Sequence, residues 1–154
     1  MHWVLVFRTI LNKMKNRVTI LMVISIAFAA CSKNLNAPTD AINNPIDTGG
    51  LKESYAGSFI NGPYGIVKGS VKILTDSVQY KLLLDSFNTS NGPDLHVYLS
   101  HEMQPVHFID LGKLKSVSGS QVYDIPGKPD FTVYKYALIH CQLYNHLFGS
   151  SELK

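Results

Sequence analysis

The chain has 154 residues, with 14 Lys plus Arg against 11 Asp plus Glu and a formal net charge of +3. That excess sits at the N-terminus: Arg8, Lys13, Lys15 and Arg17 precede residue 30, leaving 10 Lys against 11 acidic residues, a balance that argues against a nucleic-acid partner. No Arg follows Arg17, so bidentate recognition of phosphate or carboxylate is excluded beyond it, and an anion would be held by Lys or backbone amides.

Residues 1–30 read as a secretory signal, with the true start at either Met1 or Met14. Lys15 and Arg17 form a positive segment and Val18 to Ala30 an apolar one, too short for a spanning helix of about 20 residues. The segment closes on Phe28-Ala29-Ala30-Cys31, which resembles a bacterial lipobox with Phe in the usual Leu position. The resemblance implies that Cys31 is lipidated and anchors the chain in a membrane. Ser32 resembles the sorting residue of lipoproteins sent to the outer membrane, so the expected location is the envelope of a Gram-negative bacterium. Residues 31–50, rich in Asn, Pro, Thr, Asp and Gly, read as the lipidated Cys and a flexible tether.

From Leu51 to Lys154 apolar residues recur with period two between Gly, Pro, Asn and Asp, which predicts an all-β domain. Val67, Val71 and Ile73 alternate with Lys68, Ser70 and Lys72. After a turn near Thr75 and Asp76, Val78, Tyr80, Leu82 and Leu84 continue the alternation, so the two segments form a hairpin. Leu95, Val97 and Leu99 alternate with His96, Tyr98 and Ser100 as a half-buried strand; Phe108 to Leu111 and Gln121 to Ile125 are further strands. Tyr134 to Leu143, apolar on both faces, suits a central strand. Seven to eight strands in about 100 residues predict an antiparallel β-sandwich with one core.

That last strand carries Cys141. Ala137, Ile139, Cys141 and Leu143 share one face, and Tyr134, Tyr136, Leu138, His140 and Gln142 the other, so His140 points away from the sulfur and the pair makes a poor metal site. Cys141 is then either a small buried hydrophobe or a redox-active thiolate or cofactor ligand. Haem or a metal would suit the ligand reading, although no motif names a cofactor. His96, His101, His107, His140 and His146 are scattered and form no HExxH or CxxC pattern, and no nucleophile elbow or carboxylate pair is present, so no catalytic activity is assigned. Asp94, His107, Tyr123, His140 and His146 are the candidate pocket residues. Tyr123, Phe131, Tyr134, Tyr136, Tyr144 and Phe148 crowd the C-terminal part, as core residues or as a stacking surface beside Cys141.

Three segments, NGPDLHVYLS (Asn91 to Ser100), IDLGKLKSVSGSQVYDIP (Ile109 to Pro126) and YKYALIHCQLYNHLFGSSEL (Tyr134 to Leu153), resemble the DM-thirteen domain family. Its members share a Gly-Pro-Asp-Leu strand, a Leu-Gly-x-Leu-Lys segment and a Cys before a Phe-Gly ending. The resemblance implies an extracytoplasmic β-rich module with a part in electron transfer, and places the family's characteristic Cys at Cys141. Family members often have Trp before that Cys, where this chain has His140. Two readings stand: a cell-envelope lipoprotein with a redox role through Cys141, exchanging electrons with a separate redox protein, or a non-redox surface binding or adhesion module in which Cys141 is a core residue.

Overall fold

The computed structural model describes residues 41–42, 46 and 48–154. The leader, Cys31 and most of the tether lie outside the described residues, as do the signal-peptide and lipid-anchor expectations attached to them. Among the described residues no helix is long and apolar enough to cross a membrane.

Among the described residues, eleven strands form two sheets. They are β1 (Ala41–Ile42), β2 (Lys52–Ser58), β3 (Ile60–Asn61), β4 (Val67–Thr75), β5 (Tyr80–Thr89), β6 (Leu95–Ser100), β7 (Phe108–Lys113), β8 (Ser118–Gly119), β9 (Gln121–Ile125), β10 (Tyr136–Cys141) and β11 (His146–Glu152). Three of them, β1, β3 and β8, are two-residue pieces, and the longer ones account for the expected seven to eight. The first sheet runs β1-β8-β5-β4-β2, with β9 also paired to β5; the second runs β3-β11-β10-β6-β7. All pairs are antiparallel except β1, which lies parallel to β8 within the stretch read as a tether.

The architecture follows from the period-two pattern. Val67, Val71 and Ile73 of β4, Leu82 and Leu84 of β5, and Leu95, Val97 and Leu99 of β6 point to one side of their strands. With Ala137, Ile139 and Cys141 of β10 they fill the space between the sheets, joined by Phe59, Phe87, Tyr123, Phe131 and Phe148. A smaller cluster of Tyr98, Leu138 and Leu147 lies on the outer face of the second sheet, with Tyr136 packed against it.

Three local expectations are corrected. The Tyr134–Leu143 strand ends at Cys141, and Gln142–Asn145 is a turn in which Asn145 takes the left-handed conformation (φ 53°) and Leu143 is exposed. Leu143 therefore leaves the face it was expected to share with Cys141. Val78 lies in the β4–β5 turn and is exposed, because the Asp76 carboxylate accepts hydrogen bonds from the Val78 and Gln79 N–H groups and tightens that turn. Strand β6 is buried on both faces rather than one, since its expected wet face carries the outer aromatic cluster.

Candidate functional site

β10 is the middle strand of its sheet, and Cys141 is its last residue. In register, Cys141 lies opposite Leu95 of β6 on one side and His146 of β11 on the other. Directly opposed residues share a face, with Cβ atoms roughly 4.5–5.5 Å apart. The register partner of Cys141 is therefore a histidine, across the strand rather than next in sequence. A bulge at Ile139/His140 in the pairing with β11 sets this register by inserting Phe148 into the core side. His140 points to the outer face, as its alternation with Cys141 requires. The His146 ring stacks on Tyr64, with centroids 3.7 Å apart and planes 2° from parallel.

The three segments of shared motif meet at this strand end. The Gln142 N–H donates to the Asp94 carbonyl (2.9 Å) and the Leu114 N–H to the Leu95 carbonyl (2.7 Å), tying Gly-Pro-Asp-Leu to the strands on both sides of it. A Cβ on Gly92 would lie 2.9 Å from both Leu95 Cδ2 and Phe148 Cζ, so the bare glycine lets those side chains close over the site. Cys141 itself is 1% exposed and sits within the inter-sheet core.

Behind it, the outer face holds a polar group that sequence reasoning had only touched. His96 is directly opposite His140, and its Nδ1 lies 2.9 Å from Asp110 Oδ2 while its Nε2 lies 3.5 Å from Asp94 Oδ1. Lys113 pairs with the same Asp94 oxygen at 2.9 Å. Lys113 first, and His96 after it, hold the Asp94 carboxyl below the usual carboxylate range. The Tyr98 ring stacks between His140 (5.4 Å) and Phe108 (4.3 Å). Burial pushes the Tyr98 phenol up to about 12, with the charges of Asp110 and Asp94 adding to the effect.

His140 is 3% exposed, and neither ring nitrogen makes a hydrogen bond of good geometry. Burial holds it below its ordinary pKa, helped by the neighbouring His146 and His96 and opposed by the Asn145 side chain. A neutral imidazole with two idle nitrogens in a dry site is the kind of polar anomaly that functional sites retain.

The candidate pocket residues therefore divide. Asp94, His140 and His146 surround the end of β10. Tyr123 does not join them: it is buried on β9 of the other sheet, donating to Gln121 Oε1 (2.7 Å) and accepting from the Lys115 N–H (2.9 Å), with the Lys115 ammonium over its ring. His107 lies beyond the far end of β6, in the loop to β7, with its Nδ1 2.9 Å from Glu102. Sequence reasoning missed His96, Tyr98 and Asp110. The signal for two of them was the period-two run Asp94-x-His96-x-Tyr98, which puts polar and aromatic groups on one face.

A haem carried by Cys141 does not fit this site, because a thiol 1% exposed and enclosed by the core has no open side for a macrocycle. Nor, among the described residues, does Cys141 belong to a group of three close metal donors. The arrangement supplies a buried thiol at a strand end, an imidazole in the opposing register position, and directly after them a turn whose Leu143 and Tyr144 are exposed.

No curated protein and no solved structure matches the chain. A family model does, described as Electron transfer DM13, and it spans residues 58–153, more than half of the chain and all three segments that meet at Cys141. The chain belongs to the electron transfer DM-thirteen family.

Proposed function

We propose that this chain is a cell-envelope lipoprotein, anchored through a lipid on Cys31, whose sandwich domain takes part in electron transfer through Cys141. The observation that carries the reading is the convergence of three sequence-distant motif segments on the end of β10. In this reading Cys141 is a reversibly oxidised thiol and the partner is a separate redox protein bearing a disulfide. The thiol proton passes to the His146 imidazole. The thiolate attacks one disulfide sulfur, forms a mixed disulfide and releases the other sulfur as a thiolate, so the Cys141 sulfur is oxidised to the disulfide level as the released sulfur is reduced to the thiolate level; return attack by that thiolate on the partner sulfur of the mixed disulfide frees Cys141 and reverses the step. The buried sulfur is reached by local opening of the Gln142–Asn145 turn, whose Leu143 and Tyr144 already face solvent.

The test is made on the full chain in a Cys31→Ser background, grown with haem and trace metals supplied. Absorption spectrum, metal content and the extent of mixed-disulfide formation in glutathione redox buffers are recorded beside Cys141→Ser. A colourless protein that takes up and releases glutathione reversibly at Cys141 supports the reading. A native protein silent in every buffer overturns it in favour of a binding module with a core cysteine, and a cofactor band lost in Cys141→Ser would make the sulfur a ligand instead.

A further inference from the structure

We propose that the β6–β7 loop is a binding site for a divalent transition metal, held by His101, Glu102 and His107. One ligand atom from each residue, two imidazole nitrogens and a carboxylate oxygen, lies within 4.8 Å of the other two. A tetrahedral site with bonds of about 2.0–2.2 Å sets its donors roughly 3.3–3.6 Å apart. The required contraction is small, and His107 and Glu102 can supply it because their side chains are 65% and 44% exposed.

The loop is already shaped for this. Its base is closed by the His101 N–H donating to the His107 carbonyl (3.0 Å) and by the Ser100 hydroxyl donating to the same oxygen (3.2 Å). Glu102 is drawn inward from both sides: its N–H donates to Ser100 Oγ (3.3 Å), and its carboxylate accepts from the His107 N–H (3.3 Å) while lying 2.9 Å from His107 Nδ1. The Tyr134 and His101 rings pack edge to face with their centroids 4.3 Å apart. His101 Nε2 is buried with no hydrogen-bond partner, so the fold leaves this imidazole with an unused nitrogen.

Two imidazoles and one carboxylate suit zinc or copper(II) rather than calcium or magnesium, which prefer all-oxygen shells. Three protein donors also leave a fourth position open on an exposed loop, the arrangement of sites that bind an exogenous ligand rather than of closed structural ones. The group is separate from Cys141, which lies at the opposite end of β10: Tyr136, not Cys141, pairs with Ser100 next to the loop.

The experiment is calorimetric titration of the full chain, purified without a polyhistidine tag, with Zn²⁺ and separately with Cu²⁺. The native chain is expected to bind one equivalent at this site at micromolar concentrations. His107→Ala and His101→Gln should each weaken it by about tenfold or more, with thermal melting confirming that both variants remain folded; Cys141→Ser should leave binding unchanged. His107 is exposed, so its variant is the safer reporter. Absence of binding in the native chain, equal binding in both histidine variants, or loss in Cys141→Ser would each overturn the proposal.

Discussion

Replacing His140 with Leu removes a ring buried to 3% exposure whose nitrogens have no well-formed partner, and substitutes a side chain of similar size among Tyr98, Leu138 and Leu147. An unsatisfied buried polar group costs about 1–3 kcal/mol, because it loses its water without replacement. His140→Leu should recover about that amount, raising Tm by about 4 °C or more for a domain of this size. The gain should also depend on pH. The free imidazole titrates at 6.5 and the folded one lower. Above pH 6.5 both states are neutral and the difference between native and variant is constant. Below it the unfolded native chain binds a proton that the folded chain refuses, so the native protein loses stability on acidification and the variant is spared this loss. Chemical denaturation of both proteins from pH 8 to pH 5 reads the effect directly. A variant less stable than the native protein, or a difference that does not grow below pH 6.5, would refute the reading of His140 as an unpartnered, neutral ring.

Gly149→Ala should destabilise by about 1–3 kcal/mol through overpacking, because the new Cβ would lie 2.6 Å from Val67 Cγ2 and 2.9 Å from the Ile60 carbonyl. Adding Val67→Ala should recover part of the loss, and strictly additive costs in denaturant melts would contradict this packing. At the alkaline end, Tyr98, with its phenol raised to about 12, stays neutral in the fold while the unfolded phenol ionises near 10. Its contribution is intact below pH 10 and is lost as pH rises toward 12; in Tyr98→Phe the fall in stability across this window should be shallower than in the native chain.

Most of the sandwich was legible in the sequence because its strands bury one face and the side-chain period is two. Gln121–Ile125 is the clearest instance, with Gln121, Tyr123 and Ile125 buried and Val122 and Asp124 turned outward or half-exposed. The turn after Cys141 was not legible: Leu143 and Tyr144 continue an apolar run, and the one signal was Asn145, a residue that tolerates the left-handed conformation. Strand β2 escaped notice because KESYAGS lies largely exposed on an outer strand and lacks alternation. The site was half legible. Cys141 stood out as the family's characteristic Cys, and its opposition to His140 followed from alternation alone. Its pairing with His146 depends on the bulge that admits Phe148, and the approach of His101, Glu102 and His107 depends on the closure of a hairpin loop, neither of which sequence spacing encodes.

In the proposed redox role, Cys141 reacts from the native state through a local opening of the sandwich. The measurement is its alkylation rate in the Cys31→Ser chain across low denaturant concentrations. Opening of the Gln142–Asn145 turn exposes little surface, so the predicted rate is nearly independent of denaturant and exceeds the rate set by global unfolding. A rate that climbs with the full slope of global unfolding from the lowest concentrations would show Cys141 to be a core residue released only when the sandwich comes apart, and would contradict a redox role for it.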